Sequence, residues 1–325
     1  MKGQIVKILK IVIPISIGVY LTWYFFSGLT ERQIEQAKDA FFEANYFWVL
    51  LGLLVAILSH VSRAYRWRFL LEPLGYKPRL STSYHSVMAG YVINFTIPRS
   101  GEIARAGLMA TYDDVPFEKG FATIIVERLI DVVMLGIVFF ITGFLQTQSD
   151  NFQEITKSGT GEKSSNLIWY ILGVGLIFGI IGLIIYFKSK KVNSFVNEKL
   201  KGFLEGLKSI WTMNKKWSFI AHTIFIWMCY VGSIWMFAQA FPETSMMEAG
   251  CVFGAFFVGA TAIALLPGGI GIYPIWIAEV LLIYNIDFPA FGIFLWVIQT
   301  VLIVVLGLSS LFLIQRRGKV DSLHS

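Results

Sequence analysis

Residues 246–286 read MMEAGCVFGAFFVGATAIALLPGGIGIYPIWIAEVLLIYNI. The stretch is apolar for far longer than one membrane crossing needs, yet LPGGIGIYP at 266–274 interrupts it. Proline and clustered glycine free backbone groups that lipid cannot satisfy. Such a break survives only where protein or a water-filled cavity covers it. The segment therefore reads as a re-entrant or broken helix, with Pro267, Gly268, Gly269 and Gly271 as its hinge. Residues 81–97, STSYHSVMAGYVINFTI, are a shorter apolar run that ends at Pro98 and read the same way, with Pro98 and Gly101 at the break. In both segments a glycine, Gly90 or Gly259, precedes the proline by eight residues.

Around these segments lie six runs long enough to span a bilayer, at about 8–28, 47–70, 121–146, 167–187, 217–241 and 288–314. Hydrophobic residues make up 56% of the 325 and charged residues 15%, and mean hydropathy is +0.66. A soluble domain carries about 25% charge, so a bilayer is the solvent here. The fold expected is all-α: a polytopic helix bundle forming one integral membrane domain over residues 1–325. The first run is near full spanning length and follows Lys2, Lys7 and Lys10. It reads as an uncleaved helix, because a signal peptide has a shorter apolar core.

The net charge of +6 follows membrane topology, since its basic residues lie in short stretches between apolar runs. That pattern argues against a nucleic-acid partner. With the N-terminus inside, and with both broken segments returning to the side they entered, Arg32, Lys38, Lys157 and Lys163 fall outside. Arg128 lies near the inner end of its span, and the other twenty-two of the 27 basic residues stay inside, as the positive-inside rule requires. Both termini are then cytoplasmic. Each half reads span, span, broken segment, span, in opposite orientation, giving inverted halves at about 8–146 and 167–314. Paired interrupted segments in inverted halves point to a binding site near the midplane. Between the halves, residues 190–213 form an amphipathic pattern with Val192, Phe195, Val196, Leu200, Phe203, Leu204, Leu207 and Trp211 on one face and lysines opposite. It reads as a cytoplasmic interfacial helix or as a solvated linker.

Four constellations could carry chemistry. Arg63, Arg66 and Trp67 end the second run; they are either snorkelling anchors or a lipid-phosphate clamp, since guanidinium meets phosphate oxygens bidentately. Pro98-Arg99-Ser100-Gly101-Glu102, then Arg105, allow a sharp turn with Ser100 capping a new helix, and Glu102 can pair with Arg105 three residues on. Glu127, Arg128 and Asp131 share the start of the third run, with Arg128 in reach of Asp131 and Asp131 the most embedded acid. Such intramembrane charges are functional candidates or structural ion pairs. Lastly, the glycines of 268–271 permit close approach of backbone or ligand, followed by a half-helix from about Pro274. Motifs for metalloprotease, hydrolase or ATP chemistry are missing from the sequence. No catalytic residue, metal site or cofactor is expected. Cys229 and Cys251 lie in apolar runs and read as packing residues.

Taken in order, RAYRWRFLL at 63–71, the spaced Asn94, Pro98, Gly101, Glu102 and Arg105, ERLIDVV at 127–133, and LPGGIG at 266–271 resemble the membrane domain of lysylphosphatidylglycerol synthases, the flippase-like or UPF0104 family. The resemblance covers roughly 10–314. It implies a bacterial inner-membrane domain that moves a phospholipid or a lipid-linked group between leaflets. In the full synthases a separate soluble domain aminoacylates phosphatidylglycerol. Eleven residues follow the last apolar run here, so aminoacyl transfer is not expected. One departure concerns the glycine turn. The family often places an acid close behind it, whereas Tyr273 and Pro274 follow here and the first acid is Glu279.

The resulting expectation is a lipid flippase or transporter. Arg63, Arg66, Arg99 and Arg105 would hold an anionic headgroup, and Trp67, Asn94, Glu102, Glu127, Arg128 and Asp131 would complete the polar path. The partner would be a membrane lipid, together with a separate lipid-modifying enzyme. The alternative is a non-catalytic membrane subunit, or an enzyme, of lipid or lipid-linked glycan modification.

Overall fold

The computed structural model describes residues 20–96, 100–148 and 210–323, with Ser16 and Ser194. Pro98 and Arg99, the run 167–187 and most of the amphipathic stretch 190–213 lie outside the described residues. Among those described, the chain is helical throughout, without strands.

Helix α1 covers the described residues 20–28. The next stretch, expected as an outer loop, is instead helix α2, Glu31–Glu43. A capping box explains its start: the Thr30 side chain accepts from the Gln33 amide, while the Gln33 side chain accepts from the Thr30 amide. Ala37 and Ala40 form its buried stripe. Helix α3 spans Tyr46–Leu71, capped by Asn45, whose own amide donates to the Ala240 carbonyl at 2.9 Å. Helices α4 (Leu80–Thr96) and α5 (Gly101–Asp113) form a hairpin, and α6 runs Phe117–Gln148. Then come α7 (Lys216–Ala238), a second hairpin of α8 (Ala249–Leu265) and α9 (Ile272–Ile283), and α10 (Ala290–Leu323). Among the described residues three stretches are long and apolar enough to cross a membrane: Tyr46–Leu74, Lys216–Ala238 and Ala290–Arg316. The shorter apolar helices of the second hairpin accompany them.

Lipid is as apolar as leucine, so helix association relies on close contact and small residues. Each hairpin shows this at the glycine that precedes its proline by eight. A Cβ on Gly90 would lie 2.7 Å from the Arg105 side chain of α5, and one on Gly259 would lie 2.7 Å from the Tyr273 ring of α9. Both glycines make room for the returning helix of their own hairpin. Ser100 does not cap α5 through its side chain. Instead the Gly101 amide donates to Asn94 Oδ1 at 2.7 Å, bridging the break from the α4 side. In the second break the chain turns through Gly268, Gly269 and Gly271, with φ of +61°, +68° and +78°, the left-handed region that glycine enters without strain. The helix that follows starts at Ile272, two residues before Pro274.

Helix α10 locates the two hairpins. Near its start, Trp296 Nε1 donates to the Gly268 carbonyl at 2.8 Å, and Gln299 Nε2 donates to the Tyr273 hydroxyl at 3.3 Å. Further along, Gly307 is crossed by Val92, and Ser310 bonds His85 Nδ1 at 3.1 Å. The hairpins thus approach α10 from opposite ends. Their tips meet where the Phe95 ring covers Gly268.

The α4–α5 seam gives a sharp test. A Cβ on Gly101 would run into the Gly90 carbonyl and lie 2.7 Å from the Asn94 side chain, whereas one on Gly107 meets nothing within 4 Å. Gly101→Ala is expected to destabilise by about 1–3 kcal/mol through overpacking. Gly107→Ala, relieved of a helical glycine, should gain up to about 1 kcal/mol. Thermal unfolding in detergent reads both; equal effects would refute the close seam.

Candidate functional site

The charged residues of three separate motifs converge on one buried network. From α3, Arg63 Nη1 donates to Glu127 Oε1 at 2.6 Å and to Asp131 Oδ2 at 2.9 Å. Arg66 Nη2 reaches Glu127 Oε1 and Asp131 Oδ1, both at 3.3 Å. From α5, Arg105 Nη2 donates to Glu127 Oε2 at 3.1 Å. On α6 itself, Arg128 Nη1 donates to Asp131 Oδ2 at 3.2 Å, while its Nε lies 3.4 Å from Glu102 Oε1 of α5. Helical spacing explains the assembly: Glu127 and Asp131, four apart, present carboxylates on one face of α6 to Arg63 and Arg66 on α3.

Several expectations are corrected here. Arg63 and Arg66 do not snorkel; both are buried. Glu102 does not pair with Arg105 within α5; each turns to α6 instead. The Glu127 side chain is fully enclosed, whereas that of Asp131 keeps 14% exposure. Trp67 is not a surface anchor; it is fully buried. Its ring lies under the Arg105 guanidinium at 4.4 Å, and its Nε1 donates to Thr123 Oγ1 at 2.9 Å. Asn94 lies at the hairpin break, bonded to Gly101, and joins no ion pair of the network among the described residues. The glycine turn of 267–271 belongs to the hairpin tips.

Sequence reasoning missed the contribution of α7. The Tyr230 hydroxyl accepts from Arg63 Nε at 3.3 Å and Nη2 at 3.2 Å, and Thr223 Oγ1 accepts from Arg66 Nη1 at 2.9 Å. Both residues sit in a strongly apolar run; their polar atoms, seven residues apart on one helix face, were the available signal.

Among the described residues the network sets four arginines against three acids. Among the described residues four of its buried nitrogens, Nε of Arg66, Nε and Nη1 of Arg105 and Nε of Arg128, have no hydrogen-bond acceptor, and Glu102 Oε2 has no donor. Exposure grades across it: Glu127 is enclosed, Glu102 is 25% exposed and Arg128 is 38% exposed. The network therefore has a closed floor and an open rim. A buried guanidinium N–H without an acceptor is costly, so the floor favours an additional anion. The rim offers one cation and two carboxylates to whatever enters.

Comparison with known proteins agrees with this architecture. The family described as the lysylphosphatidylglycerol synthase TM region matches residues 11–309. The chain belongs to that family and is a multi-pass membrane protein. It is 24% identical over 162 residues to the UPF0104 membrane protein MJ1595 of Methanocaldococcus jannaschii, covering 49% of this chain and 44% of that protein. It is 23% identical over 268 residues to the glycosyltransferase AglD of Haloferax volcanii, covering 72% of this chain and 43% of that protein. The chain thus spans less than half the length of either relative. No solved structure matches it.

Proposed function

We propose that this chain is a lipid translocator that carries a phospholipid or lipid-linked group with an anionic headgroup between leaflets, without itself catalysing a reaction. One observation carries this reading: a buried network with one positive charge in excess and unsatisfied guanidinium N–H groups, inside a helix bundle built for lipid. Charges at such depth are costly and default to function. Family membership supports a lipid-related role.

In this reading the headgroup enters at Arg128, Glu102 and Asp131, and its phosphate is drawn toward Arg105 and Arg66. The rim carboxylates meet any cationic part of the headgroup. Arg99 beside the break adds a further cation to the path. The two hairpins are re-entrant segments of inverted halves, about 8–146 and 167–314, within one integral membrane domain. Their opposed approach to α10 and their meeting at Phe95 and Gly268 support that symmetry and make Pro98, Gly101, Pro267, Gly268, Gly269 and Gly271 the gate. This reading includes six full spans, an interfacial helix at 190–213 and cytoplasmic termini, which the positive-inside distribution of charge favours, and a bacterial inner membrane, which the family resemblance implies. A sequence without an ATP-binding motif favours passive or ion-coupled movement.

The likeness to a protein named as a glycosyltransferase favours a second reading: a membrane subunit beside an enzyme that modifies a lipid or a lipid-linked glycan. The two differ in outcome, movement of an intact headgroup against its turnover. Liposomes with a headgroup-labelled lipid and a membrane-impermeant quencher separate them. The translocator reading expects the wild type to expose inner-leaflet label. Glu102→Gln and Asp131→Asn should slow this by about tenfold or more, equivalent to about 1.4 kcal/mol on the barrier. Headgroup turnover without movement would favour the second reading.

A further inference from the structure

Where α3 ends and α7 begins, three cations lie over aromatic rings. The Arg68 guanidinium is 5.4 Å from the Tyr65 ring centre, Lys215 Nζ 6.0 Å from that of Phe69, and Lys216 Nζ 5.4 Å from that of Trp211. Trp211 meets Trp217 edge-on at 6.2 Å, and the two indoles are 60% and 68% exposed. Lys215 is neutralised by Glu72 at 2.8 Å. Among the described residues Lys216 and Arg68 form no ion pair, and Arg68 Nε is enclosed without an acceptor.

The patch is anchored rather than loose. Ile210, Met213 and Phe219 are buried with Trp67 and Leu70 in one apolar cluster. Its composition is that of a membrane–water interface, where exposed tryptophans sit at headgroup level and lysines and arginines face anionic lipid. A cation held over an aromatic face is already placed and partly stripped of water. Its remaining N–H groups suit phosphate oxygens.

We propose that this rim is a docking site for an anionic bilayer phospholipid, distinct from the headgroup site in the buried network. Arg68 and Lys216 bind the phosphate, and Trp211 and Trp217 fix its depth. The site rests on no step of the translocation reading. Its position, one residue beyond Trp67 and against Phe219, which lies under Arg66 at 5.3 Å, places a bound lipid beside the network without entering it.

The test uses the full chain in phosphatidylcholine nanodiscs that contain a minor fraction of brominated phosphatidylserine, or brominated phosphatidylcholine in its place. Tryptophan quenching by the brominated serine lipid should exceed that by the choline lipid by about twofold or more. The excess should vanish in Arg68→Gln/Lys216→Gln, vanish in Trp211→Phe/Trp217→Phe, which removes the reporters at the site, and persist in Arg105→Met. Equal quenching by the two lipids would overturn the proposal. So would an excess that survives Arg68→Gln/Lys216→Gln. An excess lost only in Arg105→Met would also overturn it, placing the lipid in the network and leaving the translocation reading intact.

Discussion

Glu127→Ala is expected to cost about 3–5 kcal/mol of stability, the range for removing one partner of a buried ion pair. Glu127 is the acid that Arg63, Arg66 and Arg105 share, at 2.6, 3.3 and 3.1 Å. Its loss leaves three buried guanidiniums with only the rim carboxylate Asp131, which reaches Arg63 and Arg66. Glu127→Gln keeps the shape and one acceptor oxygen but not the charge, and should fall most of the way toward alanine. Thermal unfolding of the detergent-purified protein measures both. A wild-type melting temperature for either variant would show that the network is not the structural centre of this end of the bundle.

Arg105→Met is expected to behave in the opposite way. The substitution leaves three arginines against three acids, and Glu127 retains Arg63 and Arg66. The apolar side chain can still lie on Trp67, which the guanidinium covers at 4.4 Å. The stability cost should be about 1.5–3 kcal/mol, the scale of one charged hydrogen bond. Translocation of an anionic lipid should nevertheless fall by about tenfold or more, since the surplus charge and two unsatisfied N–H groups are removed together. A variant that unfolds like Glu127→Ala would make Arg105 structural. One that folds and still transports would remove the surplus charge from the account.

This contrast also shows how much the sequence disclosed. The helix bundle, the two broken segments and seven of the network's charged residues were legible, because charges and prolines inside apolar runs violate what lipid permits. The pairing was not. Spacing within one helix matched Arg128 to Asp131 correctly but misassigned Glu102 to Arg105, because i, i+3 proximity says nothing of a neighbouring helix that offers a better partner. Trp67 stands four residues from Arg63 on α3, yet its ring belongs to Arg105 on α5. Helix α2 was overlooked because its stripe is made of alanines rather than large apolar residues. Tyr230 and Thr223 were hidden in an apolar run, where a hydroxyl barely alters the hydropathy. The glycines preceding each proline by eight residues formed a weak pattern in the sequence. The structure gives it a physical cause, the close return of each hairpin.

The most direct test of the central claim is charge selectivity. Wild-type protein in liposomes would be supplied with two labelled lipids of equal chain length, one with an anionic and one with a choline headgroup, and inner-leaflet exposure followed for each. The account predicts faster movement of the anionic lipid by about tenfold or more, with the difference abolished in folded Arg105→Met. Equal rates for the two lipids in the wild type, or a preference for the choline lipid, would contradict it.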